Sequence, residues 1–327
     1  MRRRDCTVLL IVGATLWPFQ IHAQQSRKIP RIGVLLPGEP VSSSPRTKAF
    51  LDGLRQLGYV EERTVAIEWK WGHDQPDTLS GLAADLVRSN VDVVVTGGTP
   101  AAKALKATTR TIPIVMGVVG DPVAAGLVDN LARPGGNVTG FSILAPELGT
   151  KRLELLKQIV PNLSSIAVLL NPKNPQSKIE MKEMQTAAQA MGLRLHPAEV
   201  STEDGLEDAF VAMNKAGVQA VILLTDSIFF TQRKRTIDLA GKYRLPAMYF
   251  FQVFVEEGGL MSYGPSDADL FRRAARYVDR ILKGTKPGEL PVEQPAKFDL
   301  YINLRTANGL GLEIPFQLQQ RADALIE

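Results

Sequence analysis

VVVTGGTPAAKAL, residues 93–105, is the stretch whose reading decides the fold. A β-branched run ends in a double glycine, and a Thr-Pro pair then opens an alanine-rich segment of helical character. A buried strand hands the chain to a helix N-terminus in this way, with Pro100 in the first turn and Thr99 the expected N-cap. The first N–H groups of such a helix have no intrahelical acceptor and attract anions. The occupant stays open at this point: a nucleotide phosphate, a catalytic oxyanion, a ligand carboxylate, or nothing beyond a capped helix and a tight turn.

The same rhythm extends outward. Apolar runs at about 31–36, 65–70, 91–96 and 113–118 alternate with helical periods at about 45–58, 77–89 and 99–109. Alternation of this kind builds a parallel sheet covered on both faces. The Gly/Pro-rich passage DPVAAGLVDNLARPGGNVTGFS then intervenes, and the pattern restarts. Strands are predicted at about 165–170, 193–199, 219–224 and 246–250, with helices near 147–159, 176–191, 203–216 and 228–243. The letters repeat as well: IGVLLP at 32–37 answers IAVLLNP at 166–172, and VDVVVTGGTP at 91–100 answers VQAVILLTDS at 218–227. The predicted fold class is α/β, with two pseudo-equivalent, doubly wound parallel-sheet lobes joined by hinge crossovers.

The C-terminal segment departs from the alternation. GGLMSYGPS at 258–266 reads as a strand and crossover, and DADLFRRAARYVDRILKG as an amphipathic helix with Asp267 as N-cap and Gly284 as stop. KFDLYIN at 297–303 reads as a last strand and LRTANGLG as a short helix. The tail is expected to complete the first lobe. The resulting division is a signal peptide at 1–23, lobe 1 at 30–142 plus about 267–327, and lobe 2 at 143–266. A chain that builds one lobe, crosses to a second and returns makes a clamp whose closed state is stabilised by what it holds.

With 327 residues, 45% hydrophobic and 22% charged, the chain is long enough for two domains with substantial cores. MRRRDCTVLLIVGATLWPFQIHAQQ pairs three arginines with an apolar run too short to span a membrane, followed by Ala23, which has the form of a secretory signal peptide. Its removal takes away three Arg and one Asp, so the formal net charge falls from +4 to +2. No basic stripe interleaved with aromatics is present, and nucleic acid is not an expected partner. The single cysteine, Cys6, precedes the apolar run, where lipid attachment would require it to follow. Its loss with the leader leaves a cysteine-free protein suited to an oxidising compartment without disulfides.

Catalytic chemistry finds few parts here. His73 and His196 stand in unrelated contexts, outside any His-x-x-x-His or Cys-x-x-Cys spacing, so no metal site is predicted. No G-x-S-x-G elbow, P-loop or G-x-G-x-x-G follows a predicted strand, and GGTP lacks the lysine a P-loop places on phosphates. An enzyme reading would rest on Asp121 or Asp226 as general base, with no partner to complete a catalytic set. Neither catalysis nor a cofactor is expected.

Recognition of a small solute fits better. Ligand contacts in doubly wound sheets gather at the carboxyl ends of the strands. That rule selects residues 36–37, 97–101 and 119–122 in the first lobe, and 171–172, 225–227 and 249–252 in the second. The candidate binding residues are Gly97, Gly98, Thr99, Pro100, Ala101, Gly120, Asp121, Asn171, Asp226, Ser227, Tyr249 and Phe250. Gly98, Thr99 and Ala101 would present main-chain and hydroxyl groups to a ligand carboxylate, and Asp121 would meet an ammonium. Asp121 reads equally as an Asp-Pro turn, and Asp226 as an N-cap. Tyr249, Phe250 and Phe251 could form an aromatic wall or pack in the core.

DPVAAGLVDNLARPGGNVTGFS, KRLELLKQIVP, GGLMSYGP, YVDRILKGTKPGELPVEQP and KFDLYINLRTANGLGLEIP, in this order, resemble the ABC transporter substrate-binding protein family that includes tryptophan-binding members. The resemblance covers about residues 31–315. It implies a type 1 periplasmic binding fold with three crossovers, a small-molecule ligand such as an amino acid or related carboxylate, and delivery to a membrane permease and ATPase. The leader and the position of Cys6 lead to the expectation of a periplasmic protein without a lipid anchor, and a monomer is expected. A ligand-sensing subunit of a membrane receptor would share the fold and differ in its partner.

Overall fold

The computed structural model describes residues 29–38, 44–73, 75–143 and 147–327, so the expected signal peptide at 1–23 lies outside the described residues. The first series of elements runs β1 (Arg31–Leu36), α1 (Pro45–Gln56), β2 (Ala66–Trp71), α2 (Leu79–Arg88), β3 (Val93–Gly97), α3 (Thr99–Thr108), β4 (Ile114–Val119) and β5 (Val138–Ser142). The second runs α4 (Glu147–Ile159), β6 (Ser165–Leu170), α5 (Pro175–Ala190), β7 (Arg194–Glu199), α6 (Gly205–Lys215), β8 (Ala220–Leu223), α7 (Ser227–Thr231), α8 (Arg233–Lys242), β9 (Ala247–Tyr249), α9 (Gln252–Glu256) and β10 (Met261–Gly264). The tail supplies α10 (Asp267–Leu282), β11 (Asp299–Asn303), α11 (Leu304–Leu310), α12 (Phe316–Arg321) and β12 (Ala324–Ile326).

Two sheets organise the chain. Lobe 1 holds five parallel strands in the order β2-β1-β3-β4-β5, and lobe 2 holds seven in the order β12-β11-β10-β9-β8-β6-β7. The central strands are buried along their whole length because helices cover both faces, which is why they read as continuous apolar runs without alternation. In lobe 1, Ile32 pairs with Val93 and Val95 with Val115, so β-branched side chains stack in register across the sheet. One continuous apolar cluster contains Val95, Val115 and Phe271 of lobe 1 together with Phe250, Phe251 and Phe254 of lobe 2. The two lobes are therefore in contact at their facing strand ends.

Helix α10 shows how the tail divides. Leu270, Phe271, Ala274, Ala275, Val278 and Ile281 recur at helical spacing and are all buried in the lobe 1 cluster. The N-cap is Ser266, whose Oγ accepts from Asp269 N at 3.2 Å, and not Asp267. Asp267 instead lies one residue inside the helix, where its carboxylate is free to pair elsewhere.

The expectation that the whole tail completes lobe 1 is corrected by the sheet order. Segment 290–293 does stay with lobe 1: Ser142 N donates to Glu293 O at 2.9 Å and Thr139 Oγ1 to Leu290 O at 2.7 Å. From Asp299 onward the chain belongs to lobe 2, with β11 antiparallel to β10 and β12 parallel to β11. Leu300 and Ile302 face apolar residues of the second core, among them Met248 and Met261. The chain crosses between the lobes three times, after β5, between β10 and α10, and before β11.

Three local expectations also change. The single helix predicted at 228–243 is two, α7 and α8, meeting at Gln232. The Gly/Pro-rich passage contains a strand, β5, whose Gly140 has φ +129 and no room for a side chain against the Met116 backbone. The N-cap of α3 is Gly98 at φ +86, a conformation glycine adopts without strain, so Thr99 is the first helical residue and its hydroxyl makes no capping bond.

Candidate functional site

The strand ends of the two lobes meet around a small inner cavity of about 60 Å³. From lobe 1 it receives Gly97, Gly98, Thr99 and Gly120. Gly98 N donates back to Val118 O at 2.7 Å, and the first bond of α3 runs from Ala102 N to Gly98 O at 3.2 Å. The Thr99 and Ala101 N–H groups precede that bond and have no intrahelical acceptor, and Pro100 carries no N–H. The N-terminus of α3 is thus an electropositive wall of the cavity.

Lobe 2 contributes Asp226, Ser227, Phe250 and Phe251 from the ends of β8 and β9, with Asn174 and Gln176 from the start of α5. The Asp226 oxygens are already engaged. Oδ1 accepts from Ile228 N at 2.9 Å, capping α7, while Oδ2 accepts from Asn174 Nδ2 at 2.9 Å and Asn171 Nδ2 at 3.3 Å. Burial pushes this carboxyl above its ordinary value, against the pull of the three donors.

Of the twelve residues proposed from sequence, the fold brings seven to this cavity: Gly97, Gly98, Thr99, Gly120, Asp226, Ser227 and Phe250. The other five lie off it. Pro100 is exposed and Ala101 is packed in the lobe 1 core. Asn171 is buried behind Asp226, and Asp121 Oδ1 accepts from Val123 N and Ala124 N at 2.9 and 3.0 Å, holding its own turn. Tyr249 is 1% exposed and stacks on Phe254 with ring centroids 4.7 Å apart; burial raises its hydroxyl well above the ordinary value.

A larger chamber of about 670 Å³ continues outward between the lobes. Pro37, Arg46 and Phe230 border both spaces. Arg46, in the first turn of α1, donates to Asp267 Oδ2 at 3.1 Å and lies 3.8 Å over the Phe230 ring centroid. Its side chain is 11% exposed, and burial pulls its pKa down while Asp267 supports the charge. Trp71 and Val253 give the chamber apolar surface, whereas Glu256 and Asp267 give it negative charge. Burial raises the Glu256 carboxyl, and the Asp267 charge adds to the effect.

Arg46, Gln176 and Phe230 are absent from the twelve because the strand-end ranges reach the following helix after β3 and β8 but stop short of it after β1 and β6, and end at the first residue of α7. The first turn of the helix after each strand lies at the same level of the fold. Arg46 on α1 and Gln176 on α5 occupy places equivalent to Thr99 on α3 and Ser227 on α7, so carrying every range through the first helical turn finds Arg46, Gln176 and Phe230.

A family model described as ABC transporter substrate binding protein matches residues 31–326. The chain belongs to that family. Among its relatives is the tyrosine-binding protein of Clostridioides difficile (strain R20291), 27% identical over 289 residues, covering 88% of this chain and 83% of that protein. The ABC domain from Streptococcus pneumonia in complex with L-Trp superposes with a TM-score of 0.85 at 28% identity, over 91% of this chain and 100% of that one. A conserved domain protein from Vibrio cholerae O1 biovar El Tor gives the same TM-score at 32% identity with the same coverage. This member of the substrate-binding family has the type 1 periplasmic binding fold. Among the described residues, no helix is long and apolar enough to cross a membrane.

Proposed function

We propose that the protein captures an amino acid between its two lobes outside the cytoplasm and delivers it to the permease and ATPase of an importer. The observation that carries this reading is the convergence of both lobes' first helical turns on the inner cavity, which opens at Arg46 and Phe230 into the larger chamber. A ligand carboxylate is placed against the N–H groups of Thr99 and Ala101 and the Arg46 guanidinium, while an apolar side chain extends past Phe230 toward Trp71. Relatives named for tyrosine binding and solved with L-Trp support an aromatic amino acid as the solute. No reaction is required, because the family consists of solute-binding proteins.

Thermal unfolding and calorimetry of the chain from residue 24 onward, with the twenty amino acids, test this reading. Saturable binding of L-tryptophan or L-tyrosine without turnover is expected, with about 2.7 kcal/mol of added stability at a hundredfold excess over Kd. Absence of a shift with every amino acid, or formation of a product, would overturn it. Delivery is checked by stimulation of the cognate permease–ATPase complex in proteoliposomes, and the periplasmic placement by cell fractionation.

A further inference from the structure

Gln176 is 6% exposed and borders the inner cavity, yet its Oε1 is buried without a hydrogen-bond partner. Buried carbonyl oxygens are normally paired, and one that is not marks a place for a donor from elsewhere. The orientation of this amide is not arbitrary. Nε2 donates to Glu180 Oε1 at 2.7 Å, one helical turn along α5. Glu180 Oε1 accepts this bond, and the Arg152 charge favours its ionised, accept-only form, so the amide nitrogen faces Glu180 and the oxygen faces away. Glu180 is in turn held by the charge of Arg152 and by the backbone N–H of Thr225, and Arg152 Nε donates to Tyr263 O at 2.9 Å.

The oxygen points across the lobes. A Cβ placed on Gly120, at the end of β4 in lobe 1, would fall 2.0 Å from Gln176 Oε1. The unpaired acceptor therefore rests on lobe 1 backbone at Gly120, which lines the same cavity as the α3 N-terminus and Arg46. Asp226, the carboxylate bordering the same space, has both oxygens engaged by Ile228, Asn171 and Asn174. Among the polar side chains on the lobe 2 side, Gln176 holds the buried acceptor left to spend on a ligand.

We infer that Gln176 Oε1 binds the ammonium group of the captured amino acid, and that Glu180, backed by Arg152, is the positioning residue that presents this oxygen. The assignment rests on the amino-acid reading above and adds to it the residue that distinguishes an amine from its des-amino analogue. Because the acceptor belongs to lobe 2 and abuts lobe 1, an ammonium bound there contacts both lobes and favours the closed clamp.

Calorimetric titration of wild type, Gln176→Leu and Gln176→Met with four compounds tests the inference: L-tryptophan, L-tyrosine, indole-3-propionate and 3-(4-hydroxyphenyl)propionate. Loss of a hydrogen bond to a charged group predicts an affinity for the amino acids lower by about 10- to 100-fold, with the des-amino acids changed less than about threefold. Glu180→Gln, which can offer Gln176 either a donor or an acceptor, should lower the preference for the amine by about tenfold with an unchanged circular dichroism spectrum. The Met variant carries the test if the Leu variant does not fold. Wild-type preference retained in both position-176 variants, or equal losses for amine and des-amino ligands, overturns the assignment. Binding of none of the four compounds by wild type instead overturns the amino-acid reading, and the assignment falls with it.

Discussion

The guanidinium carbon of Arg46 lies 3.8 Å from the centroid of the Phe230 ring, so a charged side chain of lobe 1 sits over the face of an aromatic ring of lobe 2. The same arginine is tied to lobe 1 through Asp267, whose side chain is 5% exposed. Removing the carboxylate leaves a nearly buried cation without its partner, and Asp267→Ala is expected to cost about 3–5 kcal/mol in chemical denaturation. Phe230→Ala removes a contact worth about 1 kcal/mol and should weaken ligand binding more than it lowers the stability of the ligand-free protein. Equal stability losses in the two variants would contradict this assignment of roles.

Two glycines with crowded surroundings should respond differently to alanine. At Gly140 an added Cβ would meet the Met116 carbonyl oxygen at 2.2 Å, and φ is +129, so neither the neighbour nor the backbone can yield. Gly140→Ala is expected to destabilise lobe 1 by about 3 kcal/mol or more. At Gly120 the obstacle is the tip of Gln176, which, unlike the Met116 backbone, can yield by giving up its one hydrogen bond to Glu180, at a cost of about 1–2 kcal/mol. Gly120→Ala should leave the melting temperature within a few degrees of wild type and lower ligand affinity. A loss as large as that at Gly140 would contradict this difference between the two sites.

The buried Glu180 carboxyl sets a pH dependence. Its pKa is raised from the ordinary 4.5, first by burial and to a smaller degree by Glu183, with Arg152 opposing. The folded state then holds the proton to higher pH than the unfolded state, so stability from this residue is greatest below about 4.5 and declines as pH rises toward the raised value. Glu180→Gln abolishes that titration. The stability of wild type relative to the variant, from urea denaturation, should therefore be higher at pH 4 than at pH 7; the opposite trend would show that Arg152 dominates.

Placement of the tail on lobe 2 makes a spatial prediction. Deleting residues 316–327 removes β12 and the buried Leu318, and breaks the Asp323 bonds to Lys297 Nζ at 2.8 Å and Leu300 N at 2.9 Å. A loss of about 2–4 kcal/mol is expected. Hydrogen exchange should accelerate in β10 and β11 and remain unchanged in β1–β4. Deprotection of the five-stranded sheet would contradict the pairing.

Much of this architecture was legible in the chain. Strands buried on both faces must be apolar throughout, and helices between them must carry one apolar stripe, so 165–170 and 147–159 were readable to the residue. The destination of β11 was not. KFDLYIN would suit either sheet, since pairing depends on which edge the third crossover reaches and not on any preference within the strand. The stretch 228–243 reads as one continuous helix for a similar reason, because a break at Gln232 leaves the apolar spacing nearly intact.

At the site the division is sharper. Sequence alone determined the two lobes, the strand ends that face each other, and the glycine turn into α3, because these follow from periodicity and local backbone chemistry. Only tertiary structure decided which polar groups remain available in the cleft. Asp121 and Asp226 each allowed two readings, a ligand-binding carboxylate or a local turn and N-cap, and the structure engages both locally, with Asn171 and Asn174 added at Asp226. Gln176 and Arg46 read as ordinary helix residues until the fold enclosed them. Whether a polar atom is spent or unspent is a property of its neighbours, and those are brought together over separations of more than fifty residues, as from Asn171 to Asp226.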